Sequence, residues 1–263
     1  MEGTPMICVS DLTKTYHRMV AVDNISFEIL PGQIVGYLGP NGAGKSTTVK
    51  MLTGILKPTR GEVIVAGCDS RTDGIELKRR IGYVPEAAIL YETLTPVEYL
   101  RLVGQLYHIS ENSLAEKIDE FVELFDLTQV AHQQISSLSK GMKQKVIIIS
   151  AILHNPDVLF LDEPFSNLDV STVTLMKKIL QDLAGVGKTV FYCTHILDVA
   201  ETICQRILIL NQGKVVADGS IDELREMTGR ISLEEIFAQT TEADEAGAKS
   251  VEVLRIMTEN RDD

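Results

Sequence analysis

Residues 39–46 read Gly39-Pro40-Asn41-Gly42-Ala43-Gly44-Lys45-Ser46 and fit the pattern GxxxxGK[ST]. Glycines in that spacing let backbone N–H groups curl around phosphate oxygens at the start of a helix, which is the chemistry of a nucleoside triphosphate site. Gly39, Asn41, Gly42 and Gly44 would form its wall. Lys45 would reach the β- and γ-phosphates, Ser46 would set its hydroxyl on Mg²⁺, and Thr47 would donate to an α-phosphate oxygen. A second reactive group ends the run Val158-Leu159-Phe160-Leu161-Asp162-Glu163-Pro164. Carboxylates at the carboxyl end of a buried parallel strand are costly unless they meet a cation. Asp162 is therefore expected to organise Mg²⁺, directly or through water, and Glu163 to act as general base on the attacking water. An acidic pair at a strand end on the surface is the plainer reading of the same residues.

The elements that must position these groups are legible on either side of them. MICVSDL, AVDNISFEI, QIVGYLG and GEVIVAG are short β-rich runs bounded by turn signals such as Pro31-Gly32 and Pro58-Thr59-Arg60-Gly61. KSTTVKMLTGIL, directly after the glycine loop, is expected to be a helix. Thr95-Pro96-Val97-Glu98 is a capping box with proline at the first helical position, and Leu114, Ile118, Phe121, Val122 and Phe125 share one face at helical spacing. Helix is thus expected over about 95–154. Strand texture returns in DVLFLDE, KTVFYCTH, RILILNQ and KVVADG, with helical sequence between the first three. Capping boxes at Ser220 to Glu223 and Ser232 to Glu235 predict short helices after the core, and the acidic TEADEAGAKS beyond Gln239 predicts a mobile tail. VEVLRIM, further on, could add one helix.

Composition narrows the function classes. A chain of 263 residues that is 44% hydrophobic can bury a substantial core. Its formal charge of −12 argues against nucleic acid as a partner, because phosphate neutralisation needs clustered Lys and Arg. The longest apolar run, Val146–Leu153, is far shorter than the roughly 18–20 residues of a membrane span, and the opening MEGTPMICVSD lacks a signal-peptide layout, so a cytosolic chain with no transmembrane segment of its own is expected. The four cysteines, Cys8, Cys68, Cys193 and Cys204, form no CxxC pair and read as small buried apolar residues.

On these motifs and three more, the sequence over about residues 5–225 resembles the ATP-binding subunit of an ABC transporter. Leu138-Ser139-Lys140-Gly141-Met142 stands at the family's signature position, Ser166-Asn167-Leu168-Asp169 at its D-loop, and Thr194-His195 at its switch histidine. Tyr16 in LTKTY matches the aromatic that stacks on adenine. The resemblance implies an α/β fold: a P-loop NTPase core with a mainly parallel sheet, an N-terminal antiparallel β subdomain and an inserted α-helical subdomain. It divides the chain into one ATPase domain over 1–230, with the insert at about 87–154, and a C-terminal short helix and acidic tail over 231–263. It also implies ATP and Mg²⁺ as ligands and a polytopic membrane permease as partner, so that the subunit sits peripherally on the cytoplasmic side of the membrane. A head-to-tail dimer would sandwich two nucleotides, each meeting Ser139, Gly141 and Asp169 of the opposite subunit, while His195 contacts the γ-phosphate. Read physically, Ser139 opens a buried helix, so its hydroxyl and the helix amides suit an anion or serve only as an N-cap.

Glu86, in IGYVPEAA, departs from the family pattern, where Gln supplies a carbonyl to Mg²⁺ and links to the membrane subunit. A carboxylate is an equally hard oxygen ligand, so Mg²⁺ contact by Glu86 is retained and only the amide donor is lost. Lys140 and Met142 replace the usual Gly and Gln; a solvated Lys140 is the simpler reading. GYVPE, LSKGMKQK and the later SLEEIF resemble the ATPases of bacterial drug, antibiotic and peptide exporters more than those of nutrient importers. The competing readings are a soluble ABC ATPase of DNA repair or translation, which would carry a coiled coil, zinc-spaced cysteines or a second ATPase domain, and a P-loop kinase or GTPase, which would lack the signature and D-loop.

Overall fold

Alternation of apolar side chains along the central strands decides the architecture. The computed structural model describes residues 4–87, 89–165 and 168–241, and in these two sheets form. The first is antiparallel, in the order β2 (Met19–Ile29), β1 (Ile7–Tyr16), β4 (Arg60–Val65), β5 (Cys68–Asp69). The second runs β10 (Lys214–Gly219), β9 (Arg206–Asn211), β3 (Ile34–Leu38), β8 (Thr189–Thr194), β7 (Val158–Asp162), β6 (Ile81–Val84) and is parallel except for β10. β3, β7 and β8 are buried along their whole length, as continuous apolar runs require of parallel strands covered on both faces. Successive residues then serve opposite cores. Ile34, Leu38, Leu159, Leu161, Val190 and Tyr192 join the core under the helices, whereas Val35, Tyr37, Val158, Phe160, Phe191 and Cys193 join the core between the sheets. There Phe27, Tyr37, Phe160 and Phe191 pack with ring centroids 5.0 to 6.2 Å apart.

The helices are α1 (Lys45–Leu52), α2 (Gly74–Arg80), α3 (Pro96–Leu106), α4 (Glu111–Leu124), α5 (Lys140–Ile152), α6 (Val170–Gly185), α7 (Leu197–Ile203), α8 (Ile221–Thr228) and α9 (Leu233–Thr241). α3 starts on the expected capping box: Glu98 N–H donates to Thr95 Oγ1 at 3.2 Å and Thr95 N–H to Glu98 Oε2 at 2.8 Å. Ser220 and Glu223 close a second box on α8. The third is only half formed, since Glu235 N–H donates to Ser232 Oγ while the Glu235 carboxylate accepts from Ile231 N–H instead. α1 ends at Leu52 rather than Leu56, because Gly54 turns into the left-handed region at φ 69°. β6 is a strand that periodicity over four residues could not announce. Among the described residues no helix is long and apolar enough to cross a membrane. Ser166 and Asn167 of the D-loop motif, and the acidic segment with VEVLRIM beyond Thr241, lie outside the described residues.

What the fold supplies to chemistry is a row of strand ends. β3, β8, β7 and β6 are neighbours in that order, with Leu38 beside Thr194, Cys193 beside Asp162, and Leu161 beside Val84. Their carboxyl ends lead into Gly39, His195, Glu163 and Glu86, so segments far apart in sequence meet across roughly 14 Å of sheet, three strand spacings. β6 approaches α5 closely enough that a Cβ on Gly82 would collide with the Ala151 carbonyl, a backbone atom. At Gly104 the obstacle is the Leu114 side chain, which can move. Gly82→Ala should therefore lose about 1–3 kcal/mol by overpacking, and Gly104→Ala less, because helix propensity returns about 0.8–1.0 kcal/mol. Thermal unfolding of the two variants checks this, and an equal or smaller loss for Gly82→Ala contradicts it.

Candidate active site

A cleft of about 530 Å³ opens at that row of strand ends. Its floor is the glycine loop. Gly42 and Gly44 hold φ values of 81° and 110°, open to glycine alone without strain, and a Cβ on Gly44 would collide with the Ala21 carbonyl. Gly39 lies outside the lining, at a point where a Cβ would collide with the Leu210 carbonyl. Gly44 caps α1 with no side-chain acceptor, so the first amides of the helix are free to face an anion. Thr48 Oγ1 donates to Gly44 O at 3.0 Å and is itself 3.2 Å from the buried Tyr37 hydroxyl, which fastens α1 to β3. The Lys45 ammonium is buried in the loop, donating to Gly39 O at 2.6 Å and Pro40 O at 3.2 Å. An ammonium has three donors, so one remains for a phosphate oxygen.

The wall opposite is acidic. Asp162 is 2% exposed, and its Oδ1 has no hydrogen-bond partner. Burial pushes the Asp162 carboxyl above the ordinary range; the polar Ser46 hydroxyl draws it down, the charges of Glu86 and Glu163 push it up again, and Lys45 opposes them. Glu163 sits in the left-handed region at φ 50°, a conformation that costs a non-glycine residue roughly 1–3 kcal/mol and persists only where its surroundings enforce it. Here the Glu163 N–H donates to Cys193 O at 3.0 Å, Thr194 Oγ1 donates to Glu163 Oε2 at 3.1 Å, and His195 Nδ1 lies 2.8 Å from Glu163 Oε1. The carboxylate is thus buried and oriented, while the His195 ring, 62% exposed, projects into the cleft from its other oxygen.

Tyr16, Asn41, Gly42, Gly44, Lys45, Ser46, Thr47, Glu86, Asp162, Glu163 and His195, eleven of the expected site residues, line this one cleft. Ser139, Gly141 and Asp169 do not. Ser139 is exposed and caps α5, accepting from Met142 N–H at 3.2 Å, and Asp169 caps α6, accepting from Thr172 N–H at 2.8 Å. Hydrogen bonds from Ser171 and Thr172 hold the Asp169 carboxyl far below its ordinary range. Lys140 is exposed, as expected for a solvated side chain. The sequence reading missed Met19 and Ala21, which line the cleft beside Tyr16. Their signal was the hairpin register: a two-residue turn at His17-Arg18 sets Met19 directly across from Tyr16.

The oxygen donors Ser46, Glu86 and Asp162 suit a hard cation, and the unpartnered Oδ1 of Asp162 is a place for one. No group of three or more His, Cys, Asp or Glu among the described residues could hold a metal alone, so phosphate oxygens would have to complete its shell.

Comparison with known proteins agrees with this geometry. The family pattern described as "ABC transporter" matches residues 22–166, more than half of the chain. An uncharacterized ABC transporter ATP-binding protein of Methanocaldococcus jannaschii is 40% identical over 220 residues, spanning 84% of this chain and 79% of the relative. A Nod factor export ATP-binding protein of Cupriavidus metallidurans is 33% identical, over 84% and 73% of the two chains. Among solved structures, an ATP-binding subunit of an ABC transporter superposes with a TM-score of 0.85 at 33% identity, covering 89% of this chain and 99% of the other. A dimeric ATP-binding cassette in a post-hydrolysis state with ADP and Pi gives 0.74 at 30% identity, over 82% and 99%. The chain belongs to the ABC transporter family and is an ATP-binding, ATP-hydrolysing subunit of it. DNA repair and translation are not favoured.

Glu86 stands exposed at the cleft, with Asp162 and Glu163 behind it. Because Glu163 already has the buried, oriented geometry of a base, Glu86→Gln should keep most ATPase activity, an amide oxygen also suiting Mg²⁺, and Glu86→Ala should do worse. A fall of about 10²-fold or more in the ATPase rate of the Gln variant would instead show that Glu86 carries proton chemistry.

Proposed function

We propose that the chain is the ATPase of an exporter, binding Mg²⁺·ATP in the cleft and driving a separate polytopic permease from the cytoplasmic face of the membrane. The observation that carries the catalytic part is the meeting of the glycine loop, Asp162, Glu163 and His195 at adjacent strand ends. The export direction rests on the GYVPE and LSKGMKQK motifs and on the relative named for Nod factor export. The adenine stacks on Tyr16, 40% exposed with the Lys14 ammonium 5.3 Å from its ring centre. The loop amides, Lys45 and Thr47 hold the triphosphate. Ser46, Asp162 and Glu86 would hold Mg²⁺, which when bound would supply charge neutralisation to the triphosphate. Glu163 takes the proton of the attacking water, and His195, held by the same carboxylate, donates toward the γ-phosphate. The domain division stays as the sequence implies it: one ATPase domain over 1–230 with its helical insert at about 87–154, then a C-terminal element over 231–263.

Ser139, Gly141 and Asp169 lie outside the cleft, which supports their acting on the nucleotide of a second subunit in a head-to-tail dimer. The amides at the start of α5 would face the γ-phosphate held by the opposite glycine loop. In a mixed dimer of Ser139→Arg and Lys45→Ala subunits, one composite site carries both defects and the other carries neither, whereas both homodimers are defective at each site. Partial ATPase activity is expected on mixing. Its absence at every mixing ratio, with the heterodimer demonstrated by differential tagging, contradicts the arrangement.

A further inference from the structure

α5 carries two adjacent polar residues, Gln144 and Lys145, at positions otherwise given to the core: each is 9% exposed, and Val146 to Ile149 follow them inward. The Gln144 amide donates to Pro164 O at 3.0 Å, a buried bond to the residue directly after Glu163. The Lys145 ammonium donates to Phe125 O, at the end of α4, at 3.0 Å and lies 3.8 Å from Asp169 Oδ2, the cap of α6. A buried polar pair of this kind adds little net stability, since apolar residues of the same volume would pack there at no desolvation cost. What it adds is a fixed geometry between α5 and the groups it touches.

That geometry bears on Glu163. Its left-handed backbone must be held from both sides, and the two holds differ. Upstream, Glu163 N–H is fixed to Cys193 in the sheet. Downstream, the next residue is fixed to α5 through Gln144, and Asp169 is tied to the same helix through Lys145. The helix whose first residue follows Ser139 is therefore also the helix that sets the turn of the base.

We propose that Gln144 and Lys145 are positioning residues for Glu163, making the orientation of the base depend on where α5 stands. This rests on the reading of Glu163 as general base. A displacement of α5, as when Ser139 engages a phosphate, reaches the Glu163 carboxylate through the Gln144–Pro164 bond without passing through the nucleotide.

The test is a set of variants assayed for kcat, KM for ATP and thermal midpoint: Gln144→Met, Lys145→Met, Lys145→Arg, and each Met change combined with Glu163→Gln. Gln144→Met and Lys145→Met should lower kcat about 10-fold with KM changed less than about threefold, the pattern of an interaction needed only in the transition state. Lys145→Arg, which keeps the cation, should restore most of the loss. In the Glu163→Gln background neither Met change should lower the residual rate further, because residues acting through one group are non-additive. Equal fold-losses in both backgrounds, unchanged kcat in the Met variants, or a rise in KM matching the fall in kcat would overturn the proposal. A Glu163→Gln enzyme as fast as wild type would overturn the base assignment itself, an outcome distinct from the others. If Lys145→Met does not fold, Lys145→Gln, which also removes the cation, takes its place beside Gln144→Met in the same comparison.

Discussion

Among the described residues, a carboxylate oxygen at the end of β7 is buried without a partner in the candidate site. Asp162 Oδ1 has no donor, and Glu86 and Glu163 line the same cleft against the single ammonium of Lys45. An isolated buried carboxylate is expensive, and the fold responds by raising the Asp162 pKa. Ionisation of Asp162 therefore opposes folding as pH rises past the unfolded carboxyl value of about 3.9, so near neutral pH the residue is a liability that only a cation removes. Such a residue is kept for what binds there. On the proposed reading, the rest of the site follows from that need: oxygen donors that would meet the metal, loop amides that would meet the phosphates, and an oriented Glu163 beside them.

The central sheet makes the arrangement possible because each face of each strand has its own core. With Tyr37, Phe160 and Phe191 locked between the sheets and Leu38, Leu161 and Tyr192 under the helices, β3, β8 and β7 cannot slip without exposing one set or the other. Register then fixes where Gly39, His195 and Glu163 emerge. α5 enters as a second reference frame, carrying Ser139 at one end and touching the turn after Glu163 partway along. On the proposed reading of Glu163 as the base, its hold by both the sheet and that helix couples hydrolysis to subunit engagement.

Much of this was legible in the sequence where chemistry restricts residue type and spacing together. The glycine loop and the LFLDE strand stand out because glycine alone takes the φ values at Gly42 and Gly44 without strain, and because acids ending a buried apolar run are costly without a cation. The capping boxes at Thr95 and Ser220 are equally local and formed as expected. β6 was not legible, being four residues with a glycine that packing against Ala151 demands. Met19 and Ala21 became site residues through hairpin register, a property of two strands rather than one. The sequence placed the buried stretch of the signature helix from Val146 onward and missed Gln144 and Lys145, because their partners, Phe125 and Pro164, are each twenty residues away.

Asp162→Asn isolates the central claim, since it keeps the shape of the side chain and removes the unpaired charge. Without metal or nucleotide, at pH 7, the variant should be as stable as the parent or more so, by about 0.5–2 kcal/mol, which for a chain of this size is a rise of roughly 1–8 °C in thermal midpoint. Its ATPase rate should fall at least about 10²-fold, as expected when a pre-organised electrostatic group is lost. A midpoint several degrees below the parent, or hydrolysis within about twofold of it, would contradict the account of Asp162 as a carboxylate kept at the expense of stability for the cation it meets.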